Sequence, residues 1–324
     1  MDAGTRAIEW LYARQLKVDD HWAVRTPDGF RWWADKQAQT IEVVGQEEGG
    51  PGGAVGYLIE VRTDVLRDVK LDEAGLSTVN SEAMSFASMA GLVYDEEAHT
   101  LSLHSLARVW DDNEEWLNPV ISMAAVLQVG EARVLGPHLA MQLGAETDIS
   151  GHPDHCLRAQ PDELAGAVDA RVIPTGKGAS VWSPQEFLGV ARELEAQPGV
   201  ISAAAEPEGL TMDVPFGQLP PSRCQLLSGA RHPRYGAGLL LLQQLPLAPP
   251  TEPEGAGFAL ALNAIELTRE PFGYGFGSYA WRDERMYFLS FFPNALYRPG
   301  LLLNLAASCA QRARSLDSVL GQAD

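Results

Sequence analysis

The 324-residue chain carries 24 Lys and Arg against 43 Asp and Glu, a formal charge of −19, with 46% hydrophobic residues. That balance repels phosphate backbones and anionic lipid surfaces, so nucleic acid and membranes are excluded as expected partners, and the length suffices for two cores. Three widely spaced cysteines, Cys156, Cys224 and Cys309, fit reduced thiols, and the opening MDAGTRAIEWLYARQL is not of signal-peptide type, so a cytoplasmic protein is expected.

In chain order, Ala7, Ile8, Leu11, Tyr12 and Leu16 recur at helical spacing. A strand follows, then a Pro-acid-Gly turn at Thr26-Pro27-Asp28-Gly29, where Pro presets φ and Gly accepts the corner. Strands are predicted over Phe30–Ala34, Thr40–Val44 and Tyr57–Val61, a helix over Leu71–Ala87, a hairpin over Gly91–Val109 and a helix from Asn113 to Val129 with a tail to about Gly144. The acids Asp111, Asp112, Glu114 and Glu115 suit the positive end of that last helix.

The second half states the same order. Ser183, Pro184 and Glu186 form a capping box and a helix start, with Phe187, Leu188, Val190, Ala191 and Leu194 at helical spacing. The turn returns as Glu206-Pro207-Glu208-Gly209, followed by strands at Leu210–Val214, Cys224–Leu227 and Leu239–Leu242, a helix at Phe258–Thr268, a hairpin at Gly277–Leu296 and a helix at Pro299–Leu316. The two turns stand 180 residues apart and the two hairpin glycines, Gly91 and Gly277, stand 186 apart. So nearly constant an offset reads as an internal duplication. The expected architecture is α+β: two tandem helix, antiparallel-sheet, helix modules at 1–143 and 179–324, joined by a 144–178 linker with a short helix at Asp162–Ala170.

Met286 to Phe292 is apolar on both alternating faces, so that sheet needs cover on each side. The expectation is that the two copies meet through one sheet face, with a packed helix as the alternative. In the first copy Leu101, Leu103 and Ser105 alternate with Thr100, Ser102 and His104, which reads as a half-solvated strand.

Element order, the hairpins LVYDEEAHTLSLHSLARV and YAWRDERMYFLSFFPNAL, and the helices that follow them resemble the type III secretion chaperone-like superfamily, which includes the YbjN proteins. The resemblance covers nearly the whole chain as two copies. It implies a secretion-chaperone-like fold, an intramolecular pseudo-dimer that can remain monomeric, and a module that binds a partner polypeptide without turning over a substrate.

Chemical motifs are sparse. His152, Asp154, His155 and Cys156 in GHPDHC are metal-ligating types, yet there is no second Cys or His pair at finger-like spacing, so an ordinary polar linker is preferred. TGKGAS at 175–180 lacks the phosphate-loop frame, and GYGFG at 273–277 precedes a strand where a dinucleotide site needs a helix. Cys224 and His232 are the nearest nucleophile and base in the second half, with nothing to order them. No catalytic residue and no cofactor are therefore expected. The leading expectation is a non-enzymatic chaperone or adaptor holding a basic or apolar protein client on an acidic surface; a metal-dependent enzyme using GHPDHC and a self-associating regulatory protein are the alternatives. Client contacts are assigned to Trp32, Trp33, Trp110, Trp116, Tyr287 and Phe291, aromatics at strand and helix positions that need cover.

Overall fold

The structure, a computed structural model, describes residues 1–320 apart from 49, 87, 248 and 250. The first half contains α1 (Ala3–Trp10), β1 (Ala23–Arg25), β2 (Gly29–Trp32), β3 (Gln39–Glu47), β4 (Gly56–Arg67), α2 (Glu73–Ser85), β5 (Gly91–Asp95), β6 (Thr100–Val109) and α3 (Glu114–Leu143). After β7 (Glu146–Thr147) and a single turn α4 (Ile173–Thr175) come α5 (Pro184–Glu195), β8 (Ser202–Glu206), β9 (Gly209–Phe216), β10 (Leu219–Leu227), β11 (Arg231–His232), β12 (Gly236–Leu245), α6 (Glu252–Thr268), β13 (Ser278–Arg282), β14 (Arg285–Pro293) and α7 (Leu301–Leu320). The fold is α+β with two antiparallel sheets of seven strands each.

The first sheet runs β1-β2-β3-β4-β6-β5 and the second β8-β9-β10-β12-β14-β13, with short β7 and β11 attached to β4 and β12. The two sheets share one strand order, with a long helix following each terminal hairpin. Each sheet is tied to its long helix by a buried glutamine. Gln39 Nε2 donates to Ala125 O at 3.0 Å, and Gln243 Nε2 donates to Cys309 O at 2.9 Å.

Local chemistry sets the helix starts. Ser183 accepts from the Glu186 N–H, with Pro184 at the first helical position. The sixth helix begins at Glu252, six residues before the expected Phe258, because Thr251 caps it: its hydroxyl accepts from the Glu254 N–H and donates to Glu254 Oε2, with Pro253 in the first turn. Between β13 and β14 the turn is only two residues, Asp283 and Glu284, both with positive φ, the twist a tight hairpin requires. Expected Ala87, at the end of the second helix, and residues 321–324 of the expected second module lie outside the described residues.

The stretch expected to be a polar linker is strapped to the first half. Strand β7 pairs with β4. Arg158, buried, donates to Trp33 O at 2.7 Å and Gln160 O at 2.9 Å and pairs with Asp162 at 3.1 Å. The helical candidate at Asp162–Ala170 is a chain of short turns ending in α4, which places Ala165, Val168 and Val172 in the core. Most residues between 151 and 180 remain exposed, while Arg158 satisfies the Trp33 carbonyl, a role composition alone does not distinguish from solvation.

The two halves meet along the hairpins and the helices that precede them. Gly275 and Leu106 exchange backbone hydrogen bonds of 3.0 and 3.1 Å. Asn80 of α2 holds β13: its Nδ2 donates to Trp281 O at 2.7 Å, and the Trp281 N–H donates to Asn80 Oδ1 at 2.6 Å. Asn263 of α6 reaches the opposite way, donating to Leu92 O on β5 at 3.1 Å while accepting from the Tyr279 N–H at 2.7 Å. Both outermost hairpin strands, β5 and β13, are thereby covered, which protects one edge of each sheet and leaves β1 and β8 as the other edges. Helix α2, through Ala83 and Met84, covers the face of the second sheet formed by Leu240, Leu242, Tyr287 and Leu289. The two copies thus meet through this face of the second sheet, and the element that covers it is a helix, whose small and flexible side chains fit the pleat.

Glu131 of α3 crosses the same seam, accepting from Ser88 Oγ at 2.6 Å and from the Tyr235 hydroxyl of the second half. Burial pushes its carboxyl from 4.5 up to about 7, against the lowering influence of Ser88, Tyr235 and Arg234. The fold thus favours the protonated form, whose stabilisation is complete below pH 4.5 and lost as pH rises through about 7. Glu131→Gln, neutral throughout, is expected to gain thermal stability relative to the parent between roughly pH 5 and about pH 8. A difference in unfolding temperature that does not change with pH would contradict this.

Candidate functional site

Two open clefts flank the seam, each between a helix of one half and the hairpin of the other. The first, about 630 Å³, lies between Ser77, Ser81 and Met84 of α2, Thr251 and Glu252 at the start of α6, and the turn Arg282-Asp283-Glu284. The second, about 540 Å³, lies between Ala264, Thr268 and Arg269 around the end of α6 and the turn Asp95-Glu96-Glu97, with Glu60, Arg62, Ser102 and His104 on its sheet wall. Both volumes are in the range that holds a ligand or a few side chains of a bound peptide. Asp283, Glu284, Glu96 and Glu97 are exposed, so each cleft is entered past negative charge.

The six aromatic residues assigned as client contacts do not form one patch. Trp32 fills the first core, with its Nε1 donating to Gln39 Oε1 at 3.1 Å, and Phe291 packs against the His232 ring at 4.9 Å. Trp33 is only 3% exposed, covered by the strapped segment: its Nε1 donates to Ser150 Oγ at 3.2 Å, and the His152 ring meets it at 5.0 Å. Trp32 ends β2 and Trp33 follows it, and the chain supplies the cover of both. Trp110 and Trp116 are half-buried against the second half, where Tyr274 stacks on Trp116 at 6.4 Å. Half-buried Tyr287 packs beside α2. The expected aromatic client surface is corrected in this respect: burial of Trp32, Trp33 and Phe291 leaves them no free face for a client.

The GHPDHC residues are placed equally plainly. His155 stacks between His21 at 3.7 Å and His152 at 4.7 Å, with interplanar angles of 28° and 23°. Near-parallel rings send their in-plane lone pairs outward side by side, whereas a metal needs them convergent. Cys156 is exposed. Among the described residues, no group of three or more His, Cys, Asp or Glu side chains is arranged to hold a metal ion. Cys224 is buried beside Cys309, which raises its thiol well above the ordinary value through burial first and the second thiol next. It is thus remote from nucleophilic chemistry.

Sequence reading missed a different set. Ser102 Oγ lies 2.7 Å from His104 Nε2, and His104 Nδ1 lies 2.9 Å from Glu60 Oε1. Ser102 and His104 are 4% and 5% exposed, so their strand face is not the solvated one expected: it forms the wall of the cleft under α6. The visible signal was Ser and His two apart on one strand; Glu60 comes from β4 and is brought in only by the sheet register, which pairs it with Leu106.

Acids beside the seam serve structure. Asp111 and Glu114 both pair with Arg6 of α1, at 2.6 and 2.7 Å, rather than waiting for a partner. GYGFG is a close-approach segment. A Cβ on Gly275 would stand 2.7 Å from Leu106 O. Among the described residues no helix is long and apolar enough to cross a membrane. Compared with known proteins, the chain matches no family model, no curated protein and no solved structure.

Proposed function

We propose that the chain is a protein-binding chaperone or adaptor of the secretion-chaperone-like kind, two kindred modules joined as an internal pseudo-dimer that holds a basic, partly apolar polypeptide. The observation that carries this reading is the pair of clefts at corresponding places in the two halves, each bounded by a helix from one half and an acidic hairpin turn from the other. Met84 offers an adaptable apolar contact in one cleft, and the chain's −19 charge favours basic clients and keeps a complex in solution.

The test is a titration of the full chain with a fluorescent amphipathic Lys/Leu peptide, followed by anisotropy. Saturable binding that weakens with added salt is expected, and the paired reversals Asp283→Lys/Glu284→Lys and Glu96→Lys/Glu97→Lys should each lower affinity about tenfold. Binding that neither reversal alters would contradict the reading.

A further inference from the structure

The first-half cleft holds a hydrogen-bonded Ser, His and Glu that the packing of the halves does not explain. The second sheet gives the comparison. The hairpin closes at Asp95 with Thr100 in one half and at Arg282 with Arg285 in the other, so Ser102 and His104 correspond to Tyr287 and Leu289. Arg62 stands opposite His104 and Leu242 opposite Leu289, which aligns Glu60 with Leu240. There the same face is apolar and simply packed against α2. Polar residues at these three positions are thus a property of the first half alone; although nearly buried, they line the cleft of about 540 Å³ beneath α6.

We propose that Ser102, His104 and Glu60 act together as a nucleophilic relay that hydrolyses small carboxylic esters in this cleft, an activity beyond the polypeptide binding proposed above. A carboxylate only accepts, so Glu60 holds the His104 proton on Nδ1 and leaves Nε2 free to accept from the Ser102 hydroxyl. His104 Nε2 takes that proton as Oγ bonds to the ester carbonyl carbon. The tetrahedral adduct then collapses, the C–O bond to the alcohol breaks, and the imidazolium returns the proton to the departing alkoxide. A water molecule, deprotonated by His104, next attacks the Ser102 acyl ester, releasing the carboxylic acid and restoring the hydroxyl. Ester and water become acid and alcohol, with nothing oxidised or reduced. Arg62 and Arg269 line the same cleft and make it locally cationic, with Arg62 Nε paired to Asp64 at 2.9 Å. Ser102 and His104 are the catalytic residues; Glu60 is a positioning residue.

The experiment treats the full wild-type chain with a fluorophosphonate probe and maps the adduct, then measures 4-nitrophenyl acetate hydrolysis. A covalent adduct on Ser102 is expected, with hydrolysis falling to the buffer rate in Ser102→Ala and His104→Ala. Glu60→Gln should lower kcat about 10²-fold with KM little changed, and Glu60→Asp should recover part of it. Wild-type chain that is folded by circular dichroism but gains no adduct on Ser102 overturns the proposal without reference to any variant, as does hydrolysis that survives Ser102→Ala. The peptide titration reads a separate property, so the two proposals fail independently.

Discussion

Arg312→Met is expected to lower the unfolding free energy by about 3–5 kcal/mol, read from urea denaturation. Arg312 on α7 and Glu266 on α6 are both fully buried, at 0% exposure. The guanidinium meets the carboxylate at 2.8 Å through Nη2 and at 3.0 Å through Nε, donates to Tyr274 O at 2.8 Å, and lies 3.5 Å over the Phe288 ring. Tyr279 donates its hydroxyl to the same carboxylate. Both charges have been removed from water, so the pair contributes little net stability, but one left alone is expensive. The double variant Arg312→Met/Glu266→Leu should therefore recover most of the loss. A single substitution within about 1 kcal/mol of the parent would show that water reaches the site.

Gly91→Val is the second large effect. A Cβ on Gly91 would stand 2.7 Å from Gly277 O and 2.5 Å from Leu267 Cδ1. Leu267 can adjust; the Gly277 carbonyl is backbone and cannot move without drawing the second hairpin with it. Gly277 itself has φ of 151°, a conformation side chains resist. Overpacking of this kind costs about 1–3 kcal/mol, and separation of the halves also removes the Asn263 bond to Leu92. Calorimetry should show a lower unfolding temperature. An unchanged one would mean that the two hairpins do not approach as closely as described.

These glycines show why the sequence was legible in one respect and opaque in another. Their matched positions announced two similar hairpins, because turn chemistry and strand alternation are local signals. Their purpose, close approach of one half to the other, depends on residues 186 positions apart and has no local signature. The same holds for the candidate sites. Met286 to Phe292 correctly demanded cover on two faces, but only packing shows that α2 of the other half supplies it. Trp33 was readable as a side chain needing cover, whereas its cover, Ser150 and His152, sat in a stretch whose polarity resembled solvated linker. The Ser102, His104 and Glu60 set needed the exact register of β4 against β6, and a one-residue slip would have sent Glu60 to the opposite face.

Hydrogen exchange of the full chain with and without the Lys/Leu peptide is the most direct measurement of where a polypeptide binds. The expected result is slowed exchange at the two hairpin turns, 95–97 and 282–284, and along α2. Saturating peptide that leaves these segments unprotected, or that protects only the outer strands β1 and β8, would contradict binding at the seam between the halves.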